Sequence, residues 1–179
     1  MDLVIRKANI DDVFYISKLH AICWKQSYKD IVSEDFLKKI YLDDWCEEFS
    51  EGIKTKTREV HIALLDNNII GAISCGNNRY DIENYGEIMS LYIHPVYQGS
   101  GIGSELLNHC MSYMKDNGYK NLCLYVFDKN EEAKRFYLKN GFKDSGKKKT
   151  LKIDDNNNIE EVLYIYDNIQ KTSSILFSN

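Results

Sequence analysis

The sequence predicts a mixed α/β domain built on one sheet, and three observations carry that prediction. Apolar and polar residues alternate in Leu3–Lys7, and two further strand patterns, Val60–Leu65 and Ile69–Cys75, flank the turn sequence Asp66-Asn67-Asn68. Apolar residues recur at helical spacing in several separate blocks. Leu122–Phe127 is apolar at every position, as a strand covered on both faces would be. The order is βαα, then antiparallel strands, then βαβα and closing strands. That order gives a mixed sheet and not a doubly wound one.

Taken in turn, Asn9 and Asp11 are placed to cap the first helix. Its stripe is Val13, Ile16, Leu19, His20, Cys23, Trp24 and Ser27. A second helix is expected over Glu34–Phe49, with Phe36, Leu37, Ile40, Tyr41 and Trp45 on its apolar face. Glu87–Ile93 reads as a strand. Ile102–Lys115 reads as an amphipathic helix through Leu106, Cys110 and Met114, stopped by Gly118. Asn130 can cap a short helix running to Lys139 and ended by Gly141. Two late strands, near Lys147–Ile153 and Glu161–Tyr166, flank the polar turn 154–158. A single domain is expected over residues 1–170, followed by a tail over 171–179.

Composition narrows the function classes. The chain has 179 residues, 44% hydrophobic, with a net charge of −4. It is not broadly basic, so nucleic acid is not an expected partner. No apolar run is long enough to span a membrane, and the first residues lack the basic and apolar regions of a secretory signal. The five cysteines are scattered and form no Cys-x-x-Cys pair. The four histidines form no His-Glu-x-x-His pair. The expectation is a cytoplasmic protein with reduced thiols and no metal site. Acid is concentrated in residues 30–51, where eight carboxylates face only Lys38 and Lys39.

The chemistry-bearing stretch is Leu91-Tyr92-Ile93-His94-Pro95-Val96-Tyr97-Gln98-Gly99-Ser100-Gly101-Ile102-Gly103. A strand leads through a proline into alternating glycines at the start of a helix. Backbone N–H groups at such a helix N-terminus bind phosphate. No Gly-x-x-x-x-Gly-Lys-Ser/Thr string exists. A dinucleotide fingerprint would need glycine where Ser104 stands, although Asp128 ends the next strand about where a ribose-binding acid would fall. A glycine turn without a ligand is the plain structural alternative.

Gln98–Gly103 fits Gln/Arg-x-x-Gly-x-Gly/Ala, and some 27 residues further on lies Asn130-Glu-Glu-Ala133-Lys-Arg-Phe136-Tyr137-Leu-Lys-Asn-Gly141-Phe142. Together these motifs resemble the GNAT superfamily of acetyl-CoA-dependent N-acetyltransferases, most closely over residues 60–145. The resemblance implies a largely antiparallel sheet, a splayed parallel central strand pair and flanking helices. It implies that Gln98, Gly99, Ser100, Gly101, Ile102 and Gly103 wrap the pyrophosphate of coenzyme A, and that the main chain of Leu91, Tyr92 and Ile93 pairs with the pantetheine arm. Asn130 matches a cofactor-contacting asparagine, and Tyr137 matches the tyrosine that lies by the sulfur and protonates the departing thiolate. Glu87, at the start of the strand, is the candidate base. Tyr125 stands where the branch acting on ribosomal protein N-termini carries a glutamate, so that branch's substrate does not transfer.

The amino-terminal helices of this family wall the acceptor pocket, which makes Trp24 and Tyr28 its candidate lining. The acidic segment would favour a cationic acceptor such as a polyamine. The implied activity is acetyl transfer from acetyl-CoA to a primary amine of a small molecule or peptide, by direct attack in a ternary complex. The alternatives are an acetyl-CoA-binding or sensing module without turnover and, more remotely, a dinucleotide-dependent oxidoreductase. Pairing of exposed strands between two copies would give a homodimer.

Overall fold

A computed structural model describes residues 2–80, 82–154 and 158–169. The expected tail, 171–179, lies outside the described residues. Among these residues seven strands form one sheet: β1 (Leu3–Lys7), β2 (Glu59–Leu65), β3 (Asn68–Asn77), β4 (Tyr85–Ile93), β5 (Asn121–Phe127), β6 (Lys143–Lys152) and β7 (Asn158–Tyr166). Their spatial order is β1-β2-β3-β4-β5-β7-β6. Every neighbouring pair is antiparallel except β4–β5, which is parallel. The helices are α1 (Val13–Ser27), α2 (Glu34–Lys38), α3 (Cys46–Thr55), α4 (Ile102–Asp116) and α5 (Glu131–Lys139).

The alternation of side chains along the strands sorts two apolar layers. On β5, Leu122, Leu124 and Val126 join Leu106, Leu107, Cys110 and Met114 of α4 in the larger core. On the opposite face, Val60, Ile62 and Ala72 meet Val13, Ile16, Leu19 and Cys23 of α1 and Phe49 of α3. Phe127 points to that second face, where Ala21, Leu37 and Ile40 surround it. This is the two-sided burial expected of a central strand.

Two expectations are corrected at the amino-terminal end. The helix expected over 34–49 is two helices, α2 and α3, separated by turns. Asp44 Oδ2 accepts the Tyr41 N–H at 2.8 Å, and Trp45 N–H donates to Ser17 Oγ at 3.1 Å. These local and tertiary bonds take over backbone donors that a continuous helix would use. Tyr41, expected on the buried stripe, is 67% exposed. Asn9 does cap the chain's first turn, its Oδ1 accepting the Asp11 N–H at 2.8 Å, but the carboxylate that completes the cap is Asp12 and not Asp11. Asp12 Oδ2 accepts the Asn9 N–H at 2.8 Å, and Arg6 holds the same carboxylate at 2.7 and 2.9 Å. The Arg6 guanidinium keeps the Asp12 carboxyl below the usual carboxylate range.

Candidate active site

β4 and β5 pair only at Tyr85–Asn121, Gly86–Leu122 and Glu87–Cys123. Beyond Glu87 the two strands part. The cause is local to β4. Ser90 sits opposite Ser74 and Ile88 opposite Cys75, so Met89 is an extra residue in the ladder. Such a bulge bends and twists its strand away from its former course. The gap so opened is a cleft of about 640 Å³, walled by Leu91 and Ile93 on one strand and Leu124 and Val126 on the other. The unpaired edges of both strands leave main-chain donors and acceptors facing it. A second depression of about 540 Å³, between Asn78 and Gly118, is a more open surface feature with no helix N-terminus in its lining.

The mouth of the cleft is a glycine cradle. Gly99 and Gly101 have φ of +77° and +91°, and an added Cβ on either would project into open space. The turn therefore needs glycine for its backbone conformation, and the same glycines leave the space above it clear. The first helical bonds of α4 are donated by Ser104 and Glu105 to Gly101 O, at 2.9 and 3.1 Å. The N–H groups ahead of them stand at the positive end of a 15-residue helix. Gln98 braces the turn from outside: its Nε2 donates to Ile93 O at 3.1 Å. Of the cradle residues expected from sequence, Gln98, Gly99, Gly101 and Gly103 line the cleft. Ser100 does not, and donates to Tyr97 O at 2.6 Å. Ile102 is packed into the core below.

Asn130 and Tyr137 both line the same cleft from α5. Asn130 caps that helix through a 3.1 Å bond accepted from Ala133 N–H. Tyr137 is 8% exposed and wedged between Phe136 and Phe142, with ring centroids 5.2 and 5.6 Å away. Burial, with lesser contributions from Tyr28 and Cys110, pushes its hydroxyl well above the ordinary phenol range. The group is therefore a proton donor at neutral pH.

Glu87 is placed differently from the free carboxylate a base would need. It is 1% exposed, and Arg79 engages it through its N–H at 2.9 Å, its Nε at 3.0 Å and its Nη2 at 2.6 Å. Arg79, not Glu87, lines the cleft. The sequence singled out neither Arg79 nor Arg58, which pairs with Glu48 and donates to Ser74 Oγ at 3.3 Å.

The other side of the cleft is aromatic. Trp24 and Tyr28 stack edge to face at 4.8 Å, and Tyr28 lies 4.6 Å from Phe127. Tyr28 and Tyr92 share a hydroxyl contact at 3.1 Å. Burial pushes Tyr28 up to about 12 and holds Tyr92 well above the ordinary phenol range. Trp24 and Tyr28 thus belong to the packed core and to the cleft lining at once. His20 also reaches the cleft, with Tyr92 and Phe49 rings at 4.5 and 4.8 Å and no hydrogen-bond partner for either ring nitrogen. Among the described residues no group of three or more His, Cys, Asp or Glu could hold a metal, and no helix is long and apolar enough to cross a membrane.

A splayed parallel pair, a glycine-walled helix start and a tyrosine at its foot match one family. The family model for the acetyltransferase (GNAT) family matches residues 18–142. The chain belongs to the GNAT acetyltransferase family. It is accordingly an N-acetyltransferase of the acyltransferase class. A spermidine N(1)-acetyltransferase of Thermoplasma acidophilum is 30% identical over 148 residues, covering 80% of this chain and 89% of that protein. The crystal structure of PaiA N-acetyltransferase from the same organism, in complex with coenzyme A, superposes with a TM-score of 0.76 at 26% identity over 93% of this GNAT chain and 99% of its own. The YncA acetyltransferase of Salmonella typhimurium, solved with acetyl-CoA, shares the fold with a TM-score of 0.71 at 16% identity, over 93% of this chain and 94% of its own.

Proposed function

We propose that this protein transfers the acetyl group of acetyl-CoA to a primary amine that carries positive charge. The observation that supports this best is the opening of β4 from β5 beyond Glu87, with the Gly99–Gly101 cradle at one end and an aromatic, acid-bearing wall at the other. The residues fit the donor. The N–H groups at the start of α4 would hold the pyrophosphate, and the free edge of β4 at Leu91–Ile93 would pair with the pantetheine amides. Acetyl-CoA supplies the activated acyl group. The protein supplies alignment, a dry cleft and a proton.

Tyr137 donates that proton to the departing thiolate from a buried hydroxyl. The acceptor amine brings its lone pair to the acyl carbon, the C–S bond breaks to release coenzyme A as the thiol, and the proton that the amine loses to solvent is balanced by one that returns from solvent to the Tyr137 oxygen. For an alkylammonium of pKa ~10, reaching the neutral form at pH 7 costs about 4 kcal/mol. Glu87 enters as a positioning residue: it fixes the Arg79 guanidinium on the cleft wall. A cationic acceptor agrees with the named activity of the Thermoplasma relative and with the Glu161 carboxylate in the cleft lining.

The test is coenzyme A release from acetyl-CoA across a panel of primary amines, with product mass as confirmation. Saturable turnover on cationic primary amines is expected. Tight acetyl-CoA binding with no thiol release on any amine would overturn the catalytic reading in favour of a binding module.

A further inference from the structure

Four side chains meet at the acceptor side of the cleft in an arrangement that the proposed chemistry does not use. Lys149 Nζ lies 3.4 Å from the ring centroid of Tyr80 and 3.8 Å from that of Tyr125. The two rings meet edge to face at 4.8 Å. The same Nζ is 3.2 Å from Glu161 Oε2, an oxygen buried with no hydrogen bond of its own. Strand register explains the gathering. Lys149 pairs with Glu161, and Glu161 with Phe127, so these side chains share the sheet face that carries Tyr125.

This is a box for an alkylammonium: two π faces and a carboxylate around one cation. Tyr80, Tyr125 and Glu161 line the cleft, whereas Lys149 fills the box from the edge strand β6. The occupant is thus a primary ammonium on a four-carbon stem, tethered to the protein itself. The amine that reacts must be neutral, so an ammonium box serves a charge other than the reacting one.

We infer that Tyr80, Tyr125 and Glu161 form a subsite for a second, non-reacting ammonium of a polycationic acceptor, and that Lys149 is a built-in occupant which the acceptor displaces. The inference rests on the amine-acceptor reading above and names the part of the cleft that would select among amines. Without an acceptor, Lys149 keeps the buried carboxylate paired. With a polycation present, the two ammonium groups compete for one box, and a monoamine has no second charge to enter it.

The experiment compares spermidine with propylamine, which offers the same reacting group and no second charge. In Tyr125→Leu, and likewise in Glu161→Gln, the ratio of spermidine KM to propylamine KM is expected to rise about tenfold. In Lys149→Ala that ratio is expected to fall threefold or more, because the internal competitor is gone. Tyr125→Phe keeps the π face and should hold the ratio near the parent value, which separates loss of the box from loss of folding. Lys149 lies on the edge strand, and Lys149→Met repeats the competitor test if the alanine variant is unstable. Calorimetric titration of spermidine without acetyl donor gives a readout independent of turnover, with tighter binding expected for Lys149→Ala. An unchanged ratio in Tyr125→Leu, or a raised ratio in Lys149→Ala, overturns the subsite. Failure of the amine reading looks different: no coenzyme A release with either amine, while the titration still reports on the box.

Discussion

The two sides of the cleft are built in different ways. Apart from Asn130, the donor side is one continuous segment, Leu91 to Gly103, and it works largely through backbone. Its side chains either are absent, as at Gly99 and Gly101, or act as braces, as Gln98 does against Ile93 O. The acceptor side gathers Trp24 and Tyr28 from α1 and its end, Arg79 and Tyr80 from the β3–β4 loop, Tyr125 from β5 and Glu161 from β7. A backbone wall tolerates almost no added Cβ, yet is indifferent to what the acceptor is. A side-chain wall can be changed one residue at a time. The fold thus separates a fixed donor site from an adjustable acceptor site.

The strongest way to break that separation is on the backbone side. Gly101→Val places a β-branched residue at φ +91°, where L side chains are strained, and fills the space above the cradle. The KM for acetyl-CoA should rise about a hundredfold, with the KM for amine little changed at saturating donor. Steady-state kinetics with each substrate varied would show it, and a loss shared equally by both substrates would mean that the two sides are not separate. Next in size is Tyr137→Phe, which keeps the ring between Phe136 and Phe142 and removes only the proton donor. We expect kcat to fall about tenfold or more, with both KM values within threefold. An unchanged kcat on a substrate whose chemical step limits the rate would remove Tyr137 from the mechanism.

This contrast also explains what was legible in the sequence. The donor side could be read because its function is local: alternating glycines, the proline before them and Asn130 before α5 are each a few residues of chain. The boundaries of β1, β2 and β3 were legible for the same reason, through alternation and turn residues, whereas β6 and β7 begin earlier, at Lys143 and Asn158, than the expected Lys147 and Glu161. The acceptor side is a product of register. Nothing near Tyr80 in the sequence says that it faces Tyr125, and Lys149 of β6 reaches Tyr125 of β5 across β7, which inserts between those two strands. Tyr125 was visible as a departure from one branch, but its partners were not. Glu87 was expected as a base because of its position at the start of β4. Arg79, eight residues earlier and across a loop, is what commits its carboxylate elsewhere. The break between α2 and α3 escaped because Leu37, Tyr41 and Trp45 keep helical spacing across it, while the bond from Trp45 N–H to Ser17 is tertiary.

Acid should act on the fold through two buried histidines, one beside the acceptor wall and one beneath α4. His20 is buried among Trp45, Phe49 and Tyr92, and burial lowers its pKa to about 3. His61, packed against His109 at 3.0 Å beneath α4, is lowered to about 4, again chiefly by burial. Both bind protons more weakly folded than unfolded, where the value is about 6.5. Their contribution to stability is complete above about pH 6.5 and is lost as pH falls towards the folded values, by up to ~1.4 kcal/mol per pH unit for each. The Tm measured from pH 7 to 5 should fall accordingly, and His20→Leu should flatten part of that slope. A slope unaltered by the substitution would assign the acid sensitivity elsewhere.

Glu87→Gln tests the line between positioning and catalysis. The amide keeps the shape but leaves Arg79 without its charge partner, so a stability loss of about 1–3 kcal/mol is expected. The kcat/KM for amine should drop about threefold, through KM. The rise of kcat/KM with pH should keep its form, because the proton that must be lost belongs to the amine. Disappearance of an acidic limb from that profile in the variant would restore Glu87 as the base.

The smallest effect is expected where the sequence placed the most charge. Seven of the eight acids between residues 30 and 51 do not line the cleft, and the eighth, Glu48, is paired with Arg58. Glu34 sits 2.8 Å from Lys38 on an exposed helical turn, and Asp44 accepts from the backbone of Tyr41. These carboxylates serve local structure and face solvent, where a Debye length of about 8 Å at physiological salt screens them from a distant acceptor. The double variant Glu34→Gln with Asp35→Asn should therefore leave the KM for spermidine within twofold at 0.15 M salt. Glu161 is a single acid, but it faces the cleft from a buried position, and low dielectric lets one such carboxylate outweigh several on the surface. A severalfold rise in spermidine KM for the surface double variant would put the attraction in the field of the whole segment and take selectivity away from the acceptor wall.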